Sequence, residues 1–552
     1  MKKALLLIPA LALSATLYAQ TDERDAVVNV ENDYTPVVIE VGKKTFTPGT
    51  ERNINVKPVK AEFSKQGVAY MGFPSDRDIE GLLPKKEENF PGYARLGYGL
   101  TNDIDAKAAY RFDIGKAGTL KAFASFNGFK CDVGGLMHDW NSRMFNTAAG
   151  IGYTHRFKWL TLDVDGKFGN DVFNYQNTDN VITDLTDKQN GRNYMLSVGG
   201  VSNLSGAVSY KFKGDFEYIA RSYSSGLKEG IGEGRFGIGG GARLEIFNDL
   251  LNSVGMDINL DGFIYNNTLK SAHKGYNDYF SIDIDPYLNF TFGKWLMKVG
   301  TKMNFVTRGA AVFSIAPDIV VKSNLADWAT VYGSITGGRE NNSFAKLNSL
   351  TPYWGFSKSG AARLKPTYTI ADINIGSRLS LEPVSFDINA GYAYTQDDLL
   401  QTLTPLPVTQ FTIMHVNFAQ ANTHHIYVNG SIGCDLFSWV KLSADARYDF
   451  WSCNNSDLLA MKPEITANAK AEFRVIEHLT MQLGYNYTHY TKGDTRRRLN
   501  DKHDLYARVS YQITKRFGAY IQGNNLLNCK YYDYANYETR GIRGSLGATV
   551  NF

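Results

Sequence analysis

From Gly92 to the end, the chain alternates apolar and polar positions in segments of strand length. Leu160, Leu162, Val164 and Phe168 alternate with Thr161, Asp163, Asp165 and Lys167, and Phe280, Ile282, Ile284, Leu288, Phe290 and Phe292 with Ser281, Asp283, Asp285, Asn289 and Thr291. The stretches Val384–Tyr392, Val440–Tyr448 and Leu479–Tyr487 repeat the pattern. Side chains of a strand point to opposite faces in turn, so each segment has one apolar and one charged face. In the last segment Ile542, Leu546, Ala548, Val550 and Phe552 share a face, opposite Arg543, Ser545, Thr549 and Asn551. A β-sandwich also alternates, but its outer face is seldom so aromatic. Charges at every second position of such apolar strands suit a wall with lipid on one side and a wet lumen on the other. Strands in hydrocarbon must leave no unpaired edge, so the pattern predicts an all-β, transmembrane antiparallel β-barrel of outer-membrane type.

The connections differ in length on the two sides. Phe157-Lys158-Trp159, Gly293-Lys294-Trp295, Ala326-Asp327-Trp328, Glu382-Pro383, Ile476-Glu477-His478 and Thr514-Lys515-Arg516 read as tight turns. The stretches 130–143, 176–192, 338–366, 397–410, 452–461, 492–501 and 528–540 read as long polar loops. Short turns face the periplasm and long loops the exterior in such barrels, and counting up and down gives about 22 strands. Trp159, Trp295, Trp328 and Trp439 come after short turns and are expected in an aromatic belt at the periplasmic interface.

The front of the chain adds a destination. Met1-Lys2-Lys3, the apolar run Ala4–Leu17 and Tyr18-Ala19-Gln20 have the layout of a cleaved export signal, and the run is short for a membrane span. The expected organisation is a signal peptide at 1–20, a short periplasmic or lumenal segment at 21–91, and the barrel at 92–552, in the cell outer membrane. The segment 21–91 is marginal in length for an independent fold. No later apolar run is long enough for a membrane helix. A net charge of +4 over 552 residues, with both signs interspersed, does not point to nucleic acid. The four cysteines show no CxxC pair. Cys453 and Cys529 both fall near outer loops, where free thiols and a disulfide remain open readings.

The tail Phe517-Gly518-Ala519-Tyr520-Ile521-Gln522-Gly523-Asn524-Asn525-Leu526-Leu527-Asn528, then Tyr531-Tyr532 and the final strand, resembles the carboxyl end of TonB-dependent outer-membrane receptors. The resemblance implies a barrel of about 22 strands and makes Phe552 the terminal aromatic favoured by the barrel-assembly machinery. The chain departs from that family at its front, where 21–91 is too short for a full plug. Val27–Pro36 with its Tyr34-Thr35-Pro36, Lys43-Lys44, Pro48, Gly337–Ser343 and Thr351-Pro352-Tyr353 resemble a plugless, receptor-like subgroup. The implied function is reception or transport of an unidentified ligand across the outer membrane. A non-transporting scaffold or assembly subunit is the alternative, and the short front segment favours it.

Three groups of residues are candidates for a site. Asp25, Ala26, Val27, Val28, Asn29 and Val30 form an extended segment able to add to the edge of a TonB sheet, an ordinary strand being the other reading. In the longest outer loop, Arg339, Asn341, Asn342, Tyr353 and Trp354 are candidate ligand contacts. Arg496, Arg497 and Arg498 offer guanidinium groups to lipopolysaccharide phosphates, or form a plain solvated loop. Expected partners are outer-membrane lipid and lipopolysaccharide, the assembly machinery, and TonB or surface lipoproteins. Gly232-Glu233-Gly234-Arg235-Phe236-Gly237 matches a dinucleotide fingerprint only by letters, since Ile238, Gly240, Ala242, Leu244 and Ile246 continue it with the alternation of a strand. His424 and His425 point to opposite faces and cannot share a metal. The lumenal row Lys441, Asp445, Arg447 and Asp449 is expected to pair across strands. With no GxSxG, HExxH or P-loop, neither catalysis nor a cofactor is expected.

Overall fold

A computed structural model describes residues 90–135, 139–176, 188–203, 207–222, 230–246, 250–272, 276–307, 313–355, 364–403, 414–437, 439–491 and 499–552. The stretch expected to be an export signal, Asp25–Val30 and Arg496–Arg498 lie outside the described residues.

The chain climbs and descends as β1 (Gly92–Gly99), β2 (Ile104–Ile114), β3 (Gly118–Val133), β4 (Trp140–Arg156), β5 (Leu160–Phe173), β6 (Gln189–Ser202), β7 (Val208–Arg221) and β8 (Ile231–Glu245). It continues as β9 (Leu251–Tyr265), helix α1 (Asn267–Ala272), β10 (Tyr279–Phe292), β11 (Trp295–Val306), β12 (Phe313–Ala326) and β13 (Ala329–Glu340). Helix α2 (Phe344–Leu350) precedes β14 (Thr367–Leu381), β15 (Val384–Thr402), β16 (Asn417–Phe437), β17 (Val440–Cys453) and β18 (Pro463–Ile476). The last part is β19 (Leu479–Tyr490), β20 (Lys502–Gln512), β21 (Phe517–Asn524), a small hairpin β22 (Tyr532–Tyr534) and β23 (Tyr537–Glu538), and β24 (Arg543–Asn551).

Every neighbour in the 22-stranded sheet is antiparallel, and β24 pairs with both β21 and β1, so the sheet closes on itself. At the seam Gly92 N donates to Phe552 O at 2.8 Å and Phe552 N to Gly92 O at 3.0 Å. The Phe552 ring stacks on Tyr110 at 5.8 Å and lies where a Cβ on Gly92 would be, so the terminal aromatic and that glycine fit as a pair. No helix among the described residues is long and apolar enough to cross a membrane.

The apolar half of each alternation faces outward. Leu96, Ile238, Ile388, Ile521 and Leu546 are each at least 60% exposed, which a water-soluble surface would not accumulate. Trp159, Trp328 and Trp439 stand half-exposed at the short-turn end, as a belt requires. The strands are longest in β15 and β16, with 19 and 21 residues, and shortest at the seam, where β1 and β21 have 8 and β24 has 9.

Several stretches expected as loops carry structure. Lys130–Val133 pairs with Trp140–Arg143, and β15 runs on through Thr402 opposite Asn417. Beyond the lipid both faces of a strand meet water or other protein, so the apolar–polar rhythm stops while the ladder continues. The stretch 452–461 holds a 3₁₀ turn at Ser456–Leu459, 528–540 holds the β22–β23 hairpin, and 338–366 holds α2.

A packed cap over a polar lumen: candidate functional site

The connection from β13 to β14 folds into the barrel mouth at the long-loop end. Its entry is set by Gly338, whose φ of +144° is closed to other residues, beside a register shift between Thr336 and Gly338. Ser343 then caps α2, its hydroxyl accepting from Lys346 N at 3.3 Å, while the Glu233 carboxylate accepts from Phe344 N at 2.8 Å. The three-residue spacing of Phe344 and Leu347 puts both on one helical face. That face packs on inward residues of the wall, including Ile219, Ile231, Phe263, Tyr265 and Val306, and on Leu269 of α1. Leu347 is fully buried and Phe344 nearly so, which makes this a dry core built inside a barrel mouth.

After α2 the chain enters a second cluster. The Tyr353 ring stacks on Tyr537 at 3.7 Å and meets Phe173 edge-on at 5.9 Å. Val133, Trp140 and Val416 complete the cluster from other parts of the mouth. Backbone and phenol bonds tie the connections together. Tyr175 donates to Trp354 O at 2.9 Å, Val416 N to Tyr353 O at 2.9 Å, Met414 N to Gln176 O at 3.1 Å, and the Tyr537 hydroxyl to Met414 O at 2.5 Å. Burial raises the Tyr353, Tyr534 and Tyr537 phenols above their ordinary values, so they remain protonated donors. His415 sits edge-on to Tyr175 at 4.9 Å, and burial, then the positive Arg221, hold its imidazole down at about 4.

Arg221, at the top of β7, joins the two clusters. Its guanidinium lies 4.7 Å from the Phe173 ring and 4.3 Å from the Trp354 ring. It donates to the Pro352 carbonyl, to Asn348 Oδ1 at 3.2 Å and to the Tyr175 hydroxyl at 3.2 Å. Asn348 Oδ1 also accepts from the Trp354 indole. A cation held this way, buried by aromatic faces and neutral acceptors, fixes the cap to the wall.

Below the cap the inward wall is polar and repeats one design. Inward tyrosines lie flat over glycines of neighbouring strands and carry a cation on the exposed face, which an acid then holds. Tyr287 covers Gly255, Lys298 lies 4.9 Å from its ring, and Lys298 meets Asp318 at 2.5 Å. Tyr427 covers Gly391 beneath Arg447, at 4.6 Å, which pairs with Asp449 at 2.7 Å. Tyr520 covers Gly97 and Gly547 under Arg95 and Arg508, with Arg95 on Asp105. Arg235 gathers Asp215 at 2.9 Å, Asp261 at 3.1 Å and Glu217 at 3.7 Å. These buried charges are thus paired, as a low-dielectric wall demands.

Of the five candidate ligand contacts, Arg339 lies at the end of β13 and the other four in the β13–β14 connection, in different roles. Tyr353 and Trp354 are buried in the cap, and in this closed arrangement they are packing residues rather than an outward surface. Asn342 is buried too, donating to Lys365 O at 2.7 Å and Thr367 Oγ1 at 3.0 Å. Asn341 donates to Ser281 Oγ at 3.0 Å, and Arg339 lies 5.6 Å from the Tyr368 ring; both keep partial exposure. His424 and His425 do face opposite ways, the first stacked on Tyr394 and the second bonded to Asp449 at 2.6 Å. The row on β17 pairs across strands at Lys441 with Asp435 at 3.7 Å, Asp445 with Asn468 at 2.8 Å and Asp449 with His425, while Arg447 pairs with Asp449 along its own strand. All four cysteines are free, which removes the Cys453–Cys529 bridge. Gly232–Gly237 lies within β8, with no helix after it to hold a pyrophosphate. Arg221, Tyr175 and Tyr537 carry no signal in the sequence alone, because their roles depend on contacts more than a hundred residues away.

No protein-family model matches the chain, and no curated protein matches it. Among solved structures it is similar to the ferric enterobactin receptor PfeA of Pseudomonas aeruginosa, with a TM-score of 0.63 and 10% identity over 84% of this chain and 81% of that one. The siderophore receptor PirA from Acinetobacter baumannii gives 0.63 and 11% over 84% and 80%. The ferric-catecholate import receptor Fiu from E. coli K12 gives 0.61 and 8% over 85% and 82%. At such identities the likeness is one of fold.

Proposed function

We propose that the chain is a receptor-type barrel of the cell outer membrane that passes a ligand from outside through its lumen, with the cap as the outer closure. The supporting observation is the closed 22-strand barrel with an apolar exterior and a charged, ion-paired wall, in the architecture of receptors named for ferric siderophores. Ferric catecholates are therefore the first probes. In this reading residues 1–20 are removed on export, 21–91 form a short periplasmic or lumenal segment, Asp25–Val30 engage TonB, and Phe552 serves barrel assembly. Arg339 and Asn341 are the contacts still accessible in the closed form, Tyr353 and Trp354 become available on opening, and Arg496–Arg498 meet lipopolysaccharide phosphates. The test is uptake of labelled ferric catecholate by cells with and without the chain, and with residues 21–31 deleted. Loss of uptake in both cases supports coupled transport.

One observation favours a second reading. A mouth filled by two dry clusters suits a scaffold that holds surface lipoproteins and transports nothing. Unchanged uptake, together with stoichiometric surface partners after purification in mild detergent, would establish the scaffold instead.

A further inference from the structure

Arg221 has a second acceptor within reach that it does not use. Asp171 on β5, Gly191 on β6 and Arg221 on β7 form one register row across three strands. Two strand spacings, about 10 Å, separate the outer pair's backbones, a span that the two side chains can bridge. Gly191 leaves the middle of the row empty. Asp171 leans over it, so that a Cβ there would meet Asp171 Cβ at 3.8 Å and Oδ2 at 3.9 Å. A small void lined by Asp171, Gly191, Arg221, Asn348 and Pro352 lies between the acid, the guanidinium and the cap. Asp171 Oδ1 and Arg221 Nε are both buried without a hydrogen-bond partner. In the closed form, therefore, the terminal nitrogens of a buried cation are held by cap oxygens and the Tyr175 hydroxyl, while its Nε and an oxygen of the acid beside it have no hydrogen-bond partner.

The geometry points to Arg221 as a two-position latch, bonded to Pro352 and Asn348 of the cap when the mouth is closed, and swung across Gly191 onto Asp171 when the cap lifts. The exchange keeps the guanidinium partnered in both states, replacing two neutral acceptors with one charged one, so lifting the cap does not strand a buried charge. Trp354 and Pro352 leave together in this motion because both bear on Arg221. The latch rests on the reading of the cap as a moving closure, and it is testable without any ligand.

The experiment uses the full chain in intact cells, with the four native cysteines replaced by serine and Ser349→Cys, on α2, as a reporter buried within the cap. A membrane-impermeant maleimide reads opening, and Lys530→Cys, on a side chain 71% exposed, controls for surface display. Arg221→Ala is expected to label at Ser349→Cys at least tenfold faster than the parent, with Arg221→Lys between the two. Asp171→Asn is expected to label severalfold more slowly, because the acceptor of the open state has lost its charge. No acceleration in Arg221→Ala, with Lys530→Cys labelling normally, overturns the latch. Unchanged or faster labelling in Asp171→Asn overturns the exchange, since the acid would then only neutralise the closed-state cation. Ferric-catecholate uptake in the same strains is a separate readout, so failure of the transport reading and failure of the latch are distinguishable.

Discussion

In the mouth, Phe344, Leu347 and Trp354 are buried to one per cent exposure or less, and the cap's backbone carbonyls accept from side chains around them, Trp354 O from Tyr175 and Pro352 O from Arg221. On the wall beneath, the buried residues include Asp318, Asp449 and Arg95, each in a strand ladder and paired with an opposite charge, and Asp372, which accepts from the Tyr427 hydroxyl. One chain thus holds two kinds of core, a paired tube and a mouth packed from its connections. The wall's charges are pinned by ladder hydrogen bonds that cannot break locally without opening the sheet. The cap's core is made from connections, so its packing can come apart as a unit while every strand stays paired.

The strongest way to break this separation is to remove the cap's largest buried side chain. Trp354→Ala deletes the indole that covers Arg221 and bonds Asn348. Deletions of this size cost about 3–5 kcal/mol in packed cores. Amide exchange across 344–354 should accelerate by two or more orders of magnitude, while the barrel's heat-modifiable migration on gels stays unchanged. A simultaneous loss of the folded-barrel band would mean that cap and wall form one cooperative unit.

Acid offers a reversible version of the same test. His415 is neutral in the closed cap because its folded value, about 4, lies below the ordinary imidazole value. The opened cap therefore binds more protons, so closure is favoured fully above the ordinary value of about 6.5 and is weakened as pH falls toward 4. The maximum effect is about 3 kcal/mol. The labelling rate of a cysteine buried in the cap, divided by that of the exposed Lys530→Cys at the same pH to cancel the loss of thiolate in acid, should rise as pH falls from 7 to about 4 and level off below. His415→Phe should flatten that rise, and a profile that survives the substitution assigns the pH response to another group.

The wall predicts a smaller and local response. Asp449→Ala leaves Arg447 and His425 without their shared acceptor. Because Arg447 retains contact with Tyr427 and partial access to the lumen, the cost should be about 1–3 kcal/mol. The gel-shift temperature of the barrel should fall by several degrees with amide protection in α2 unaltered. Faster exchange in α2 would show that the lumenal stacks support the cap.

Much of the wall was legible in the sequence because lipid on one side and water on the other impose a period of two, and Leu546, Ile388 and Phe280 obey it. The closure at Phe552 was legible for the same reason. The cap was not, although one local signal exists: Ser343 with Phe344 and Leu347 after it is a helix start with apolar spacing. It passes for part of a polar loop because the stretch around it is rich in Asn, Ser and Lys. Its burial depends on partners such as Ile219, Tyr537 and Val416, which no local pattern links to it. The Tyr-over-Gly stacks are hidden differently. Gly391 and Tyr427 each look ordinary in their own strands, and only the register that sets them side by side shows that the missing Cβ makes room for the ring.

The smallest expected effect sharpens the comparison from the other direction. Lys346 on α2 forms an ion pair with Glu340 at the cap's edge, where the glutamate side chain is half-exposed. Pairs of this kind contribute about 0–1 kcal/mol, since water screens them and long side chains lose freedom in making them. Lys346→Ala should therefore change the labelling rate of the cysteine buried in the cap by less than about fivefold at low salt, and by less still at high salt, where screening has already removed most of the attraction. If closure depended on surface charge, this variant would approach Trp354→Ala, and raising the salt concentration alone would open the parent. If it depends on the dry clusters, the two variants should differ by well over tenfold and salt should leave the parent closed. Measuring both substitutions at two ionic strengths thus separates packing from charge as the force that shuts the mouth.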